Sequence, residues 1–170
     1  MSLLKILIFP DTRLRTVADP IGSIDNSIKK LSQDMLETMY AGNGVGLAAT
    51  QVNIHKRLVV VDVSEEKNDP LILVNPEVEI LNFEKNKIYA EGCLSVPGFY
   101  EEIERPNMIK IKATSIEGKK INLKAEGMKS IVLQHEIDHL DGKIFVDFLS
   151  NVKRQRIRQK LLKQKKKKKI

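Results

Sequence analysis

Two histidines four positions apart constrain this chain more than any other feature of its 170 residues. The stretch His135, Glu136, Ile137, Asp138, His139 has the H-E-x-x-H pattern. A helix is predicted from about Met128 to Leu140. Ile131, Val132, His135 and His139 fall at i, i+1, i+4 and i+8 on one stripe, and Asp141 with Gly142 supplies the C-terminal stop. On such a helix both imidazoles project from one face and can reach a single metal ion, with Glu136 beside them. The plainer alternative is a pair of histidines hydrogen-bonded within a helix. A metal held by two histidines needs another protein ligand, and after His139 the sequence contains no His and no Glu. That excludes the usual zinc-protease arrangements, whose third ligand of one of those types follows the motif.

The remaining candidates lie upstream. His55 stands beside Lys56 and Arg57 in a polar stretch, while Cys93 lies in the segment Glu91, Gly92, Cys93, Leu94, Ser95, Val96, Pro97, Gly98. Gly92 and Gly98 permit close backbone approach and Pro97 stops a continuing strand, so the sulfur can be displayed at a fixed turn. A lone cysteine is ordinarily a small buried hydrophobe. The missing ligand reverses that preference, and the charged neighbours of His55 suit an exposed loop, so Cys93 is favoured. With one cysteine no internal disulfide can form and a reducing compartment is expected.

Three protein ligands leave one coordination position open for water. The cation lowers the pKa of that water, and Glu136 is placed to take its proton and hand it to a leaving group, which suits hydrolysis of an amide or ester. Asp138, on the other side of the helix, is either a partner of this centre or part of a salt bridge. The segment Gly44, Val45, Gly46, Leu47, Ala48, Ala49, Thr50, Gln51 is small enough for a substrate backbone to lie close, although a simple turn would read the same way. Gln51 offers a neutral amide donor suited to a developing oxyanion, or is an ordinary polar loop residue.

The rest of the chain reads as one globular domain, 42% hydrophobic and 30% charged. Ile28, Leu31, Met35 and Met39 recur at helical spacing after the candidate N-cap Asp25, and Gly42 and Gly44 end the pattern. Strands are predicted at Leu58–Val63, Leu71–Val74 (closed by Asn75 and Pro76), Val78–Phe83, Lys87–Ala90, Met108–Thr114 and Lys120–Ala125, the last two joined through Glu117 and Gly118. A third helix from Ser150 onward would place Ile157 and Leu161 on one side, with the five lysines at 165–169 fraying by mutual repulsion. Strands in runs with helices set apart argue for an α+β fold. The opening Met1–Phe9 is too short for a signal peptide and no run could span a membrane, so a cytoplasmic protein is expected. Residues 153–170 hold 11 of the 29 Lys+Arg and none of the 22 acids, which leaves the body at −4 within a net charge of +7. The body's charge therefore gives no hint of nucleic-acid binding.

GVGLAATQ at 44–51, EGCLS at 91–95 and QHEIDHLDG at 134–142, in that order, resemble the three signature segments of peptide deformylases. The likeness runs from PDTRLR near the N-terminus to the basic C-terminal helix, covers essentially the whole chain, and looks most like the bacterial class with such a tail. It implies antiparallel sheets surrounding the motif helix, plus an N-terminal and a C-terminal helix, with residues 1–150 as catalytic domain and 151–170 as basic tail. Cys93, His135 and His139 would bind one divalent metal, ferrous iron in the family's usual active form, although nickel, cobalt and zinc accept the same donors. The implied substrate is the N-formylmethionine of nascent polypeptides, released as formate. Glu136 would be the general base and acid, and the Gln51 side chain with the Leu94 backbone N–H would join the metal in holding the oxyanion. Val45 and Gly46 would meet the substrate backbone, and Ile131 and Val132 would wall an apolar pocket for the methionine.

A slot sized for formyl can reject acetyl by sterics. The tail is implied to dock on ribosomal RNA by exchanging counterions for phosphates; a solvated helix that keeps the protein soluble is the plainer reading. A monomer without membrane contact is expected. The competing functions are a metallopeptidase cutting internal bonds, which needs a long cleft, and a ribosome-associated RNA-binding factor whose metal is only structural.

Overall fold

The computed structural model describes residues 3–82 and 86–167. Asp25 starts the first helix as its side chain predicts, accepting from the N–H groups of Ser27 and Ile28 at 2.9 and 3.1 Å. Helix α1 then runs Asn26–Ala41. Strands β1 (Gly46–Ala48), β2 (Leu58–Val61), β3 (Leu71–Ile80), β6 (Met108–Thr114) and β7 (Lys120–Glu126) form one antiparallel sheet in the order β1-β2-β3-β6-β7. Strands β4 (Asn86–Gly92) and β5 (Tyr100–Pro106) form a separate antiparallel pair. Helices α2 (Met128–Leu140) and α3 (Asn151–Lys167) complete an α+β fold.

The uniform apolar run of β2 has a simple cause: both faces of the sheet are covered there. Val59 and Val61 pack with Val132, Leu133, Ile137 and Leu140 of α2, whereas Leu58 and Val60 pack with Ile28, Met35, Leu36 and Met39 of α1. On its far side α2 meets the end of β5, where Ser130 Oγ and Gln134 Nε2 donate to the Pro106 carbonyl at 3.1 and 2.8 Å. The motif helix is thus enclosed between the sheet and the β4–β5 pair. A third cluster joins Leu7, Phe9, Leu14, Val96, Ile103 and Phe145 to Ile157 and Leu161 of α3. No described helix is long and apolar enough to cross a membrane.

Four expectations need correction. The strands predicted at Leu71–Val74 and Val78–Phe83 are one strand to Ile80, with a register shift between Val74 and Glu77 (Phe83 lies outside the described residues). Asn75 sits at φ 50° and its side chain bridges the Ile21 N–H and carbonyl at 2.8 Å each, so Pro76 falls in a bulge that needs no ladder donor. Strand β2 ends at Val61 rather than Val63 because Asp62 turns the chain, its N–H donating to the Val45 carbonyl and its Oδ1 accepting from the Ser64 N–H, both at 2.9 Å. Strands β1 and β5 have no counterpart in the predicted elements. Helix α3 continues through Lys165, Lys166 and Lys167, where fraying was expected; Lys168 and Lys169 lie outside the described residues.

Candidate metal centre

Helix α2 is buried on nearly all sides rather than along one stripe, and only Met128, Lys129 and Asp138 escape burial. His135, Glu136 and His139 are 7%, 4% and 1% exposed, a costly setting for three ionisable groups unless something compensates them. The β4–β5 pair brings the compensation. Just past β4, Cys93 Sγ lies 3.2 Å from His139 Nε2, which is itself 3.2 Å from His135 Nε2. All three donor atoms fall within 4.8 Å of one another. Neighbouring donors of a tetrahedral centre, given metal–sulfur and metal–nitrogen bonds of about 2.3 and 2.1 Å, stand roughly 3.4–3.6 Å apart, so this set fits one transition-metal ion. His55 is not in the group.

The ring of His135 is oriented by a carboxylate. Its Nδ1 is 2.8 Å from Glu91 Oε2, so Nδ1–H donates there and Nε2 is left to face the centre. Glu91 is held in turn by Arg105, whose Nε and Nη2 donate to its two oxygens at 2.5 and 3.1 Å while Nη1 donates to Asp138 Oδ2 at 2.8 Å. Burial alone would raise the Glu91 carboxyl; the hydrogen bonds from His135 and Arg105 outweigh it and hold the group below the ordinary range. Asp138 is therefore a salt-bridge partner that ties α2 to the strand pair. Sequence reasoning missed both Glu91 and Arg105. Glu91 sat inside a quoted motif with no role attached. Arg105 gives no local signal, because it meets Glu91 only by side-chain reach along one face of the β4–β5 pair, where its own register partner is Lys87.

Glu136 carries the orphaned atom of the site: its Oε2 is buried with no hydrogen-bond partner. Burial pushes its carboxyl up to about 7, against the opposing pull of His135. The carboxylate lies against Gly46, where a Cβ would come 2.8 Å from Glu136 Cγ and Cδ and closer still to Oε1. Gly46→Ala is accordingly expected to displace the carboxylate and lower kcat/KM by about 10² with metal content unchanged, measured by steady-state kinetics beside elemental analysis.

A cavity of about 480 Å³ opens in front of Cys93, His135 and Glu136. Its lining includes Val45, Gly46, Ile131 and Val132, the four expected substrate-binding residues, together with Gln51 and Leu94. Ile131 and Val132 are buried at its wall while Val45, 44% exposed, stands at the rim. Gln51 is fixed at both ends of its amide: Oε1 accepts from the Ala48 N–H at 2.8 Å, and Nε2 lies 3.1 Å from Ser95 Oγ and 3.4 Å from Cys93 Sγ. Tyr89, Phe99, Tyr100 and Met128 also line the cavity and were not singled out from sequence. Three of them come from strands or a loop placed only by the β4–β5 pairing.

One thiolate and two imidazoles with an accessible side, and a carboxyl beside them able to carry a proton, define a hydrolytic metal enzyme rather than a closed structural site. Its kind follows from comparison: the chain belongs to the polypeptide deformylase family, whose model matches residues 3–155. The peptide deformylase of Azotobacter vinelandii is 57% identical over 164 residues, covering 96% of this chain and 97% of that one. Peptide deformylase 1 of Pseudomonas syringae is 56% identical over the same share of this chain. Among solved structures, the peptide deformylase from Ehrlichia chaffeensis matches with a TM-score of 0.94 at 38% identity, covering 99% of this chain and 100% of that one. A structure of the Ehrlichia protein in complex with actinonin matches with a TM-score of 0.92 at 40% identity, covering 96% and 98%.

Proposed function

We propose that this chain hydrolyses the formyl amide at the N-terminal methionine of new polypeptides, releasing formate. The observation that carries the reading is the convergence of Cys93, His135 and His139 within 4.8 Å beside a buried, unpartnered carboxyl oxygen of Glu136. Bound there, a divalent metal supplies Lewis acidity, polarising the formyl carbonyl and making water a competent nucleophile near neutrality. Iron(II) is the expected ion, and nickel, cobalt and zinc suit the same thiolate and imidazoles.

The remaining work belongs to side chains. Glu136 takes one proton from the attacking water and returns it to the amide nitrogen as the carbon–nitrogen bond breaks, so the peptide leaves with a free amine and the formyl carbon leaves as formate. Burial disfavours the charged form of that carboxyl, which suits it to hold the proton between the two halves of the transfer. The Gln51 Nε2–H and the Leu94 backbone N–H stabilise charge on the carbonyl oxygen. Val45 and Gly46 align the peptide backbone, and Ile131 and Val132 receive the methionine side chain. Formyl-Met-Ala is expected to be turned over at least about 100-fold faster than acetyl-Met-Ala, with loss on chelation and recovery on adding iron(II) without oxygen. Comparable cleavage of acetyl-Met-Ala, or of internal bonds in an unmodified protein, would instead identify a metallopeptidase.

The basic tail of residues 151–170 serves as a docking appendage on a catalytic body of residues 1–150, its partner ribosomal RNA in the cytoplasm. Every group the reaction uses lies on one chain, so a monomer suffices. Ile157 and Leu161 are buried, whereas Arg156, Arg158 and Lys163 face solvent. Reversing these three charges to Glu is expected to abolish ribosome cosedimentation at low salt and leave turnover of formyl-Met-Ala within about twofold. Undiminished cosedimentation would assign the tail to solubility alone.

A further inference from the structure

Gln51 and the turn that carries Cys93 come from segments 42 residues apart, yet three hydrogen bonds tie them together besides the contact of Gln51 with Cys93 itself. Two are made by alternate N–H groups of the N-terminal segment: Leu7 donates to the Gln51 carbonyl at 2.7 Å and Phe9 to the Ser95 carbonyl at 2.8 Å. The third is the side-chain contact of 3.1 Å between Gln51 Nε2 and Ser95 Oγ. Ser95 is wholly buried and Gln51 1% exposed, so water does not compete for either group. Ser95 does not line the cavity, and the hydrogen bond its side chain makes among the described residues is with Gln51.

The amide of Gln51 can stand only one way round. Its oxygen accepts the Ala48 N–H at 2.8 Å, and a flipped amide would set two donors against each other there. Nε2 carries two hydrogens. With one committed to Ser95 Oγ, the other points to the side of the cavity where Cys93 Sγ lies 3.4 Å away, to be shared between that sulfur and the carbonyl oxygen of a bound substrate. An N–H held toward a metal-binding thiolate draws electron density from the sulfur and so tunes it as a ligand.

We propose that Ser95 is a positioning residue: the chain of contacts Ser95 Oγ–Gln51 Nε2–Cys93 Sγ fixes the Gln51 amide toward the reacting side of the cavity and sets the donor strength of the Cys93 thiolate. The kinetic half of this inference rests on the deformylase reading above; the spectroscopic half does not.

The test is a double-mutant cycle of Ser95→Ala and Gln51→Leu in the cobalt(II)-loaded protein. Each single variant is expected to move the thiolate-to-cobalt charge-transfer band to lower energy, and the double variant to sit where Gln51→Leu sits. In formyl-Met-Ala hydrolysis, Ser95→Ala should lower kcat about tenfold with KM within about twofold, and should cost less than about twofold once Gln51 is Leu. The proposal is overturned if Ser95→Ala lowers kcat equally in both backgrounds, or leaves both the band and kcat at parent values. Should Ser95→Ala not fold, the zinc-loaded parent answers by NMR: two resolved, solvent-protected Gln51 amide protons support the proposal and one exchange-broadened signal overturns it. A parent that turns over no formyl peptide would sink the deformylase reading while leaving the band shifts to be read. A parent that deformylates without coupling between the two residues sinks only the role of Ser95.

Discussion

Glu136→Gln is expected to lower kcat by about 10³ or more while the protein still binds one metal ion. The amide keeps the shape of the carboxyl against Gly46 and leaves Cys93, His135 and His139 untouched, but it cannot accept and return a proton. Retained turnover in this variant would remove the general base from the mechanism and revive the reading in which the metal is only structural. The same substitution has a second consequence in the metal-free protein. The folded carboxyl titrates at about 7 against 4.5 for the free group, because burial penalises its charge. Its destabilising contribution is absent below 4.5, grows as the pH rises between the two values, and is complete above 7. Metal-free Glu136→Gln should therefore unfold at the parent's temperature in acid and at a higher one above pH 7, with a gap of order 3 kcal/mol. Paired thermal melts at pH 5 and pH 8 measure it, and equal gaps at both pH values would refute the assignment.

Arg105→Met is expected to cost about 3–5 kcal/mol of stability and to weaken metal binding 10–100-fold. Both effects have one source. The guanidinium is 5% exposed and neutralises Glu91, equally buried, so its removal strands a carboxylate whose other partner is His135. At about 2–4 °C per kcal/mol for a chain of this size, the melting temperature should fall by roughly 10 °C. The pH dependence weakens as well. In the parent, Glu91 is held below the ordinary range, so its contribution is present above the unfolded value of 4.5 and is lost as the pH falls through the lower folded value. Without Arg105 the burial cost is opposed by His135 alone, so the carboxyl moves up and the variant should lose less stability than the parent between pH 7 and pH 4. Denaturation at pH 4 and pH 7, with metal affinity by competition against a chelator, separates this outcome from simple loss of packing.

The parts of the fold written in local spacing were legible. Asp25 and the recurrence of Ile28, Met35 and Met39 marked α1, and the two histidines with Asp141 and Gly142 marked α2, because caps and helical periodicity act over a few residues. The metal ligands were legible for another reason: the sequence after His139 lacks any further histidine or glutamate, so the third ligand was sought upstream, where Cys93 was favoured over His55. What stayed hidden depends on pairing at a distance. The sequence of β5, YEEIERP, reads as a charged loop, and only Ile103 and Arg105 turn inward. That Arg105 belongs to the core follows from the pairing with β4, whose register sets it opposite Lys87 on the face that also carries Glu91, where the long guanidinium side chain reaches the carboxylate. The bulge at Asn75 was misread as a strand end because a proline after a turn-forming residue looks the same in both cases until the partner strand is seen.

The packing of α3 bears on the order in which the enzyme becomes complete. Ile157 and Leu161 share a cluster with Val96 and with Phe9, and Cys93 rests against that cluster. Translation delivers the C-terminal residues last. A copy whose α3 is still inside its own ribosome therefore has the turn that bears its sulfur ligand without the backing those two side chains provide.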